Sequence, residues 1–217
     1  MKEGAPPSIT QTVFVVDDDA GIREALQSVL ETVGFATAAY ASAREFLEAY
    51  HPSQAGCLLL DIRMPGMSGL ELQKQLNARG AVIPVIFVSG HGDISMAVEA
   101  MKHGAFDFLE KPFREEDLLD RVRRALARDA RVRKALSEHA RIRERLESLT
   151  PRERDVLNRI VEGKSNKVIG GELRISTRTV ELHRAHVMEK MQASSLAELV
   201  RMMIDAEGQA RPGKRSG

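Results

Sequence analysis

Three observations predict a two-part chain, an α/β unit followed by an all-α unit. Between residues 12 and 126, short β-rich apolar runs alternate with segments of helical period, the pattern of a (βα)5 unit with a parallel sheet and helices on both faces. From Leu149 onward strand signals cease and capped helical segments follow one another. The net charge of +1 hides a split, with −6 over residues 12–126, +3 over 127–147 and +4 over 148–217.

The strands are read at 13–16, 36–40, 57–60, 82–88 and 106–109, where apolar and β-branched residues cluster. Helices fit between and after them at 20–33, 42–50, 68–79, 93–103 and 114–127, with Gly34, Gly80 and Gly104 stopping three of them. Asp19 and Asp93 stand at N-cap positions, and Ser68 with Glu71 three residues on forms a capping box. Residues 128–147 contain no Gly and no Pro and read as a connector helix. Val132, Ala135, His139, Ile142, Leu146 and Leu149 trace a sparse heptad stripe there, which suits a solvated connector and a dimerising coil equally. Thr150-Pro151-Arg152-Glu153 starts the next helix with a capping box and a first-turn proline. Gly163 stops it, Ser165 and Ser176 cap two more helices, and Ser195 with Glu198 boxes a fourth to about Ile204. Residues 1–11 read as an N-terminal arm, and the Gly-, Pro- and Arg-rich residues 209–217 as a disordered tail.

Composition narrows the function classes. With 43% hydrophobic and 29% charged residues the chain is globular in type, and its longest apolar stretches fall short of the roughly 20 residues a membrane span needs. The single Cys57 excludes an internal disulfide and is read as packing; with no zinc-spaced Cys/His set, a soluble cytoplasmic protein without a structural metal is expected. An acidic half joined to a mildly basic half implies two different partners, the basic half facing a polyanion.

In a parallel α/β sheet, functional groups gather at the carboxyl ends of the strands. Here Asp17 and Asp18 follow the first strand, Asp61 the third, Ser89 and Gly90 the fourth, and Lys111-Pro112 the fifth. Carboxylates converging at one edge repel unless a hard cation joins them, and Mg²⁺ prefers carboxylates, a carbonyl and waters. A hydroxyl and an ammonium on neighbouring strand ends can hold phosphoryl oxygens, so the set suits phosphoryl transfer onto an aspartate. A Mg²⁺-dependent aspartyl phosphohydrolase would use a second Asp two residues past the nucleophile, and Arg63 stands there.

The strings VVDDD, LLLDIRMPGMSGLEL, VIFVSGHGD and FLEKPF resemble, in order and spacing, the receiver domain of two-component response regulators, over residues 12–127. The resemblance implies a flavodoxin-like (βα)5 receiver in which Asp61 is the phosphoacceptor. Asp17 and Asp18 would be the acidic pair at Mg²⁺, joined by the backbone carbonyl of Arg63. Ser89 would be the switch hydroxyl, Phe108 the switch aromatic, and Lys111 the lysine that engages the phosphoryl group, with a cis bond to Pro112.

The second and third C-terminal helices are spaced like a helix-turn-helix, whose recognition helix offers its first residues to the major groove. LTPRERDVL, EGKSNKVIGGEL and ISTRTVELHRAHVMEKM resemble the LuxR-type helix-turn-helix, over residues 148–208, and the whole chain is similar to FixJ-family response regulators. The resemblance implies DNA-facing roles for Asn166, Lys167, Thr177, Arg178, Thr179, Glu181, Leu182, Arg184 and Ala185. The inward stripe would be Val180, Val187 and Met191 with either Leu182 or His183. Gly170-Gly171 and Arg174 depart from the family pattern; each glycine should weaken its helix by roughly 1 kcal/mol relative to Ala, and Arg174 falls where a left-handed glycine is common. The implied function is a phosphorylation-switched transcription regulator, an activator rather than a repressor by that resemblance alone. Its partners would be a sensor histidine kinase, double-stranded DNA, a second copy when phosphorylated, and RNA polymerase.

Overall fold

The structure, a computed structural model, describes residues 11–90 and 94–208. Its first elements are β1 (Thr12–Val16), α1 (Ala20–Thr32), β2 (Ala36–Tyr40), α2 (Ala43–Ala49), β3 (Gly56–Asp61), α3 (Gly69–Ala78), β4 (Val85–Ser89), α4 (Ile94–Lys102) and β5 (Asp107–Glu110). After them come α5 (Glu115–Glu147), α6 (Pro151–Val161), α7 (Asn166–Leu173), α8 (Thr177–Met191) and α9 (Leu196–Gly208). The arm up to residue 10, the tail from 209 and the Asp93 cap lie outside the described residues.

The chain divides into two compact units, 1–134 and 135–217, so the division falls within α5. In the first unit the strands form one parallel sheet in the order β2-β1-β3-β4-β5. Because successive strand side chains point to opposite faces, each strand feeds two cores. Phe14, Val16, Leu58, Leu60 and Phe87 pack with Phe46, Leu72, Leu76 and Ala100 of α2, α3 and α4. Val13, Val15, Cys57, Leu59 and Val88 pack with Leu26 and Leu30 of α1 and with Leu118, Val122 and Leu126 of α5. Cys57 is wholly buried among them, and burial pushes its thiol pKa up, as the packing role expects.

The caps at Asp19, Ser42, Ser68, Thr150, Ser165 and Ser176 all form, the pairs Ser68/Glu71 and Thr150/Glu153 as reciprocal boxes. Three expectations change. The fourth strand starts at Val85 rather than 82, because Pro84 has no N–H to donate to the ladder and its carbonyl instead accepts from Leu58 at 2.9 Å. The box at the start of α9 is offset: Ser195 Oγ accepts from Glu198 N–H, but the Glu198 carboxylate reaches back to Ser194, and the helix continues past Ile204 to Gly208. The expected helix 114–127 and the connector are one continuous helix, α5, since nothing between them breaks the backbone ladder.

The heptad stripe on α5 is neither a solvated line nor a dimer seam along its length. Ala135 is exposed, whereas Ile142, Leu146 and Leu149 pack into the core of the second unit with Val156, Ile160, Val180 and Leu199. Within the first unit, α5 is held past its apolar stretch by a buried ion pair. Asp129 is fully buried; its Oδ2 accepts from Gly56 N–H at 2.9 Å and its carboxylate takes Arg133 Nε at 2.8 and 3.0 Å. The remaining guanidinium nitrogens of Arg133 donate to the carbonyls of Pro52 and Gln54. Such a pair offsets its desolvation only while both partners are present. Arg133→Ala is therefore expected to lower the unfolding free energy of the first unit by about 3 kcal/mol in urea denaturation. A loss below about 1 kcal/mol would show that Asp129 is not held as a buried charge.

Candidate functional site

The expected edge groups are brought together where β1, β3, β4 and β5 end. Asp17 follows β1 and is 3% exposed; Asp61, the last residue of β3, is 9% exposed. The Lys111 ammonium lies between them, 2.9 Å from Asp17 Oδ2 and 3.1 Å from Asp61 Oδ1. The other oxygens are also taken, Asp17 Oδ1 by Asp19 N–H at 2.9 Å and Asp61 Oδ2 by Arg63 N–H at 2.7 Å. Lys111 is placed by its own backbone, whose N–H donates to Ser89 O at 2.7 Å, and its peptide bond to Pro112 is cis.

These contacts set the charge states. Burial raises the Asp61 pKa, the Lys111 ammonium and the Arg63 N–H pull it back, and the Asp17 charge pushes it up again, for a net rise. Burial acts to lower the Lys111 pKa, but the hydrogen bonds and charges of Asp17 and Asp61 outweigh it and the net shift is upward. One ammonium thus serves two carboxylates, leaving net negative charge in a mostly buried place. Asp18 stands exposed beside them. Among the described residues no three carboxylate, His or Cys side chains gather into a ready ligand cluster. The convergence expected of three carboxylates is therefore a convergence of two on a lysine, with the third at the rim. All the donors are hard oxygens and one negative charge is uncompensated, which fits a hard divalent cation such as Mg²⁺.

Ser89 closes β4 and is 1% exposed; its neighbour Val88 is paired in register with Asp61. Phe108 on β5 is half-buried, packs against the Phe14–Phe87 core, and lines an open groove of about 730 Å³ with Ala97, Val98, Met101 and Arg121. Two contributors are not apparent from residue chemistry. The Arg63 N–H holds the Asp61 carboxylate, and Gly69 at the start of α3 lies so close that a Cβ there would stand 2.2 Å from Asp61 O. The only sequence signal for Gly69 is a glycine directly after the Ser68 cap, where any helix former would serve an isolated helix.

In the second unit, Ser176 Oγ accepts from Thr179 N–H at 3.0 Å and fixes the start of α8. Thr177, Arg178, Glu181, Leu182 and Ala185 are exposed along its first half, Arg184 is half-buried, and Lys167 is exposed and Asn166 half-buried at the start of α7. Leu182 is 56% exposed, so the inward stripe is Val180, Val187 and Met191, all at 0%, with the half-buried His183. The Thr179 hydroxyl is engaged with Ser176 Oγ at 2.8 Å, part of the cap itself. Arg174 does adopt the left-handed conformation, with φ 55° and ψ 46°.

The far end of α8 is held from two sides. Glu153, buried at the start of α6, takes Lys190 Nζ at 2.6 Å and the Thr150 N–H at 2.8 Å. The Lys190 hydrogen bond lowers its pKa most, against burial, and with the Thr150 bonds brings it to about 2. Arg145 of α5 donates to Met191 O at 3.2 Å and to Gln192 Oε1 at 2.6 Å, satisfying the carbonyl end of α8.

Residues 13–123 match the response regulator receiver domain family, and residues 147–203 the luxR family of bacterial regulatory proteins. The transcriptional regulatory protein FixJ of Azorhizobium caulinodans is 50% identical over 192 residues, 88% of this chain and 91% of that protein. The response regulator protein TodT of Pseudomonas putida is 46% identical over 190 residues, 88% of this chain and 84% of that one. Among solved structures, the response regulator StyR aligns with a TM-score of 0.84 at 47% identity, over 89% of this chain and 98% of that one. Full-length FixJ from B. japonicum aligns at 0.57 and 42% identity, over 93% and 99%.

Two outcomes follow from the second unit. A Cβ on Gly170 would stand 2.9 Å from Ile175 O, whereas one on Gly171 meets nothing within 4 Å. Gly171→Ala should stabilise the unit by about 1 kcal/mol and Gly170→Ala should destabilise it, as thermal melts of the two variants will show. Because the folded pKa of Glu153 is depressed from 4.5 to about 2, its stabilisation is complete above pH 4.5 and is lost as pH falls toward 2. Over that window the wild-type unit should lose about 3 kcal/mol more than Glu153→Gln in pH-dependent denaturation; parallel pH profiles would remove the assignment.

Proposed function

The chain belongs to the response regulators that join a receiver domain to a LuxR-type DNA-binding domain, and on that premise we propose that Asp61 is the residue through which phosphorylation controls its DNA binding. Members of this family regulate transcription, act with sensor kinases and are switched by phosphorylation. The observation that carries the residue-level reading is the sharing of the Lys111 ammonium between Asp17 and Asp61.

The Asp61 carboxylate is the nucleophile. One of its oxygens forms a bond to phosphorus as the P–N bond to a kinase phosphohistidine breaks, and the imidazole nitrogen leaves with the electron pair. Mg²⁺ held by Asp17, Asp18, Asp61 and the Arg63 carbonyl would supply positive charge against the phosphoryl oxygens. Lys111, already in contact with Asp61, gains a stronger anionic partner in the phosphorylated form. Ser89, one residue past the register partner of Asp61, brings a hydroxyl to the same sheet edge to answer the new charge. Phe108 is half-buried at the rim of an open groove, so its ring has both a core to enter and a surface to leave. Movement of Ser89 and Phe108 would reshape the surface beside α4 and β5 and favour pairing of two copies. Paired copies would set two α8 helices on half-sites one helical turn apart, Arg178 and Thr177 toward phosphates and Glu181, Leu182, Arg184 and Ala185 toward base edges. The output is activation of transcription through RNA polymerase.

The test is a pair of measurements on the full chain. With acetyl phosphate and Mg²⁺, the wild type should show a phosphoprotein band on a phosphate-affinity gel and Asp61→Asn should show none. With beryllofluoride, selection from a genomic fragment library should enrich a paired motif for the wild type and not for Asp61→Asn. Labelling that persists in Asp61→Asn would move the acceptor elsewhere.

A further inference from the structure

We propose that Arg174, in the turn between α7 and α8, is a contact to a DNA phosphate in the bound complex, an inference that rests on the DNA-binding reading of this unit. Two residues other than glycine adopt left-handed backbone conformations among the described residues, Arg174 and Gln192. An L side chain in that region carries a steric cost that glycine does not. At Gln192 the side chain returns something to the fold, because its Oε1 accepts from Arg145. At Arg174 it returns nothing among the described residues. The backbone bonds that end α7, from the Arg174 and Ile175 N–H groups to Gly170 O, would form equally well with glycine.

The guanidinium is exposed and has no hydrogen bond or ion pair among the described residues. A carboxylate is nearby in the chain, but Glu172 is engaged by Arg159 and Lys164. Of the Lys and Arg residues over 166–191, Lys190 is paired with Glu153, and Lys167, Arg174, Arg178 and Arg184 are without such partners among the described residues. The other three are the cations expected at DNA on sequence grounds, and Arg174 shares their state. It lies three residues before Thr177, a span of at most about 11 Å of chain, so its flexible side chain can reach the backbone that the start of α8 approaches. A planar guanidinium with all donors free matches a phosphodiester in charge and geometry. A phosphate contact positions without reading sequence, so its loss should weaken binding to all duplexes alike.

The experiment follows fluorescence anisotropy of a 30-bp random-sequence duplex titrated with the full, beryllofluoride-treated chain between about 50 and 300 mM KCl. Arg174→Gly should melt higher than the wild type and yet bind several-fold more weakly, with the slope of log affinity against log salt reduced by about 0.9. Arg174→Lys should retain the slope, and Arg174→Gln should lose it without the gain in melting temperature. Wild-type slope and affinity in Arg174→Gly, beside a reduced slope in Arg178→Ala, would overturn the proposal and leave the DNA reading standing. A wild-type chain that shows no salt-dependent binding would overturn both together.

Discussion

Two buried carboxylates at the edge of one sheet cannot both be ionised without a counter-charge, and the Lys111 ammonium is that counter-charge. Much of the first unit is arranged around this fact. Parallel strands bring Asp17, Asp61 and Ser89 to one end of the sheet, because every right-handed crossover returns the chain in the same direction. The Lys111 N–H on Ser89 O holds the lysine against the end of β4, and Gly69 lets α3 begin directly over the Asp61 backbone. The single positive charge leaves the pair short of neutral, which is what makes the place receptive to a hard cation.

Helix α5 serves two cores by two kinds of interaction. In the first unit, Leu118, Val122 and Leu126 pack beneath the sheet, and Asp129 with Arg133 fastens the next turns to the loop before β3. In the second, Ile142, Leu146 and Leu149 enter the core and Arg145 caps the end of α8. Burial of apolar area and satisfaction of polar groups thus alternate along one helix. The exposed Ala135 marks the change from one unit to the other.

The helix pair of the second unit is made rigid from its ends. Ser176 and Thr179 fix the first turn of α8, Glu153 and Lys190 fix its last, and Gly170 permits the turn after α7 to press close. Side chains on the outer face of α8 then need no role in holding it, and Arg178, Glu181 and Leu182 stand exposed there.

What the amino-acid sequence determined by itself were features encoded within a few residues of one another. Caps such as Thr150 with Glu153, the β-rich runs, the stops at glycine, and the residue types at the strand ends are all of this kind, because local propensity and period 2 or 3.6 suffice to specify them. The convergence at the sheet edge was legible for the same reason: once strand ends are placed, parallel topology brings Asp17, Asp61, Ser89 and Lys111 together. Contacts between segments far apart in the chain were decided only by the tertiary structure. Leu182 and His183 have equal claim to an inward place on a helical wheel, and the folded unit leaves His183 half-buried and Leu182 56% exposed. Gly170 and Gly171 are alike in propensity, and only the approach of Ile175 distinguishes them. Ile142 and Leu146 read as a possible seam for a second helix until a core within their own unit covers them. Pairing Asp129 with Gly56, or Lys111 with Asp17, joins residues 73 and 94 positions apart, and no local pattern carries information over such a distance; the folded backbone supplies it.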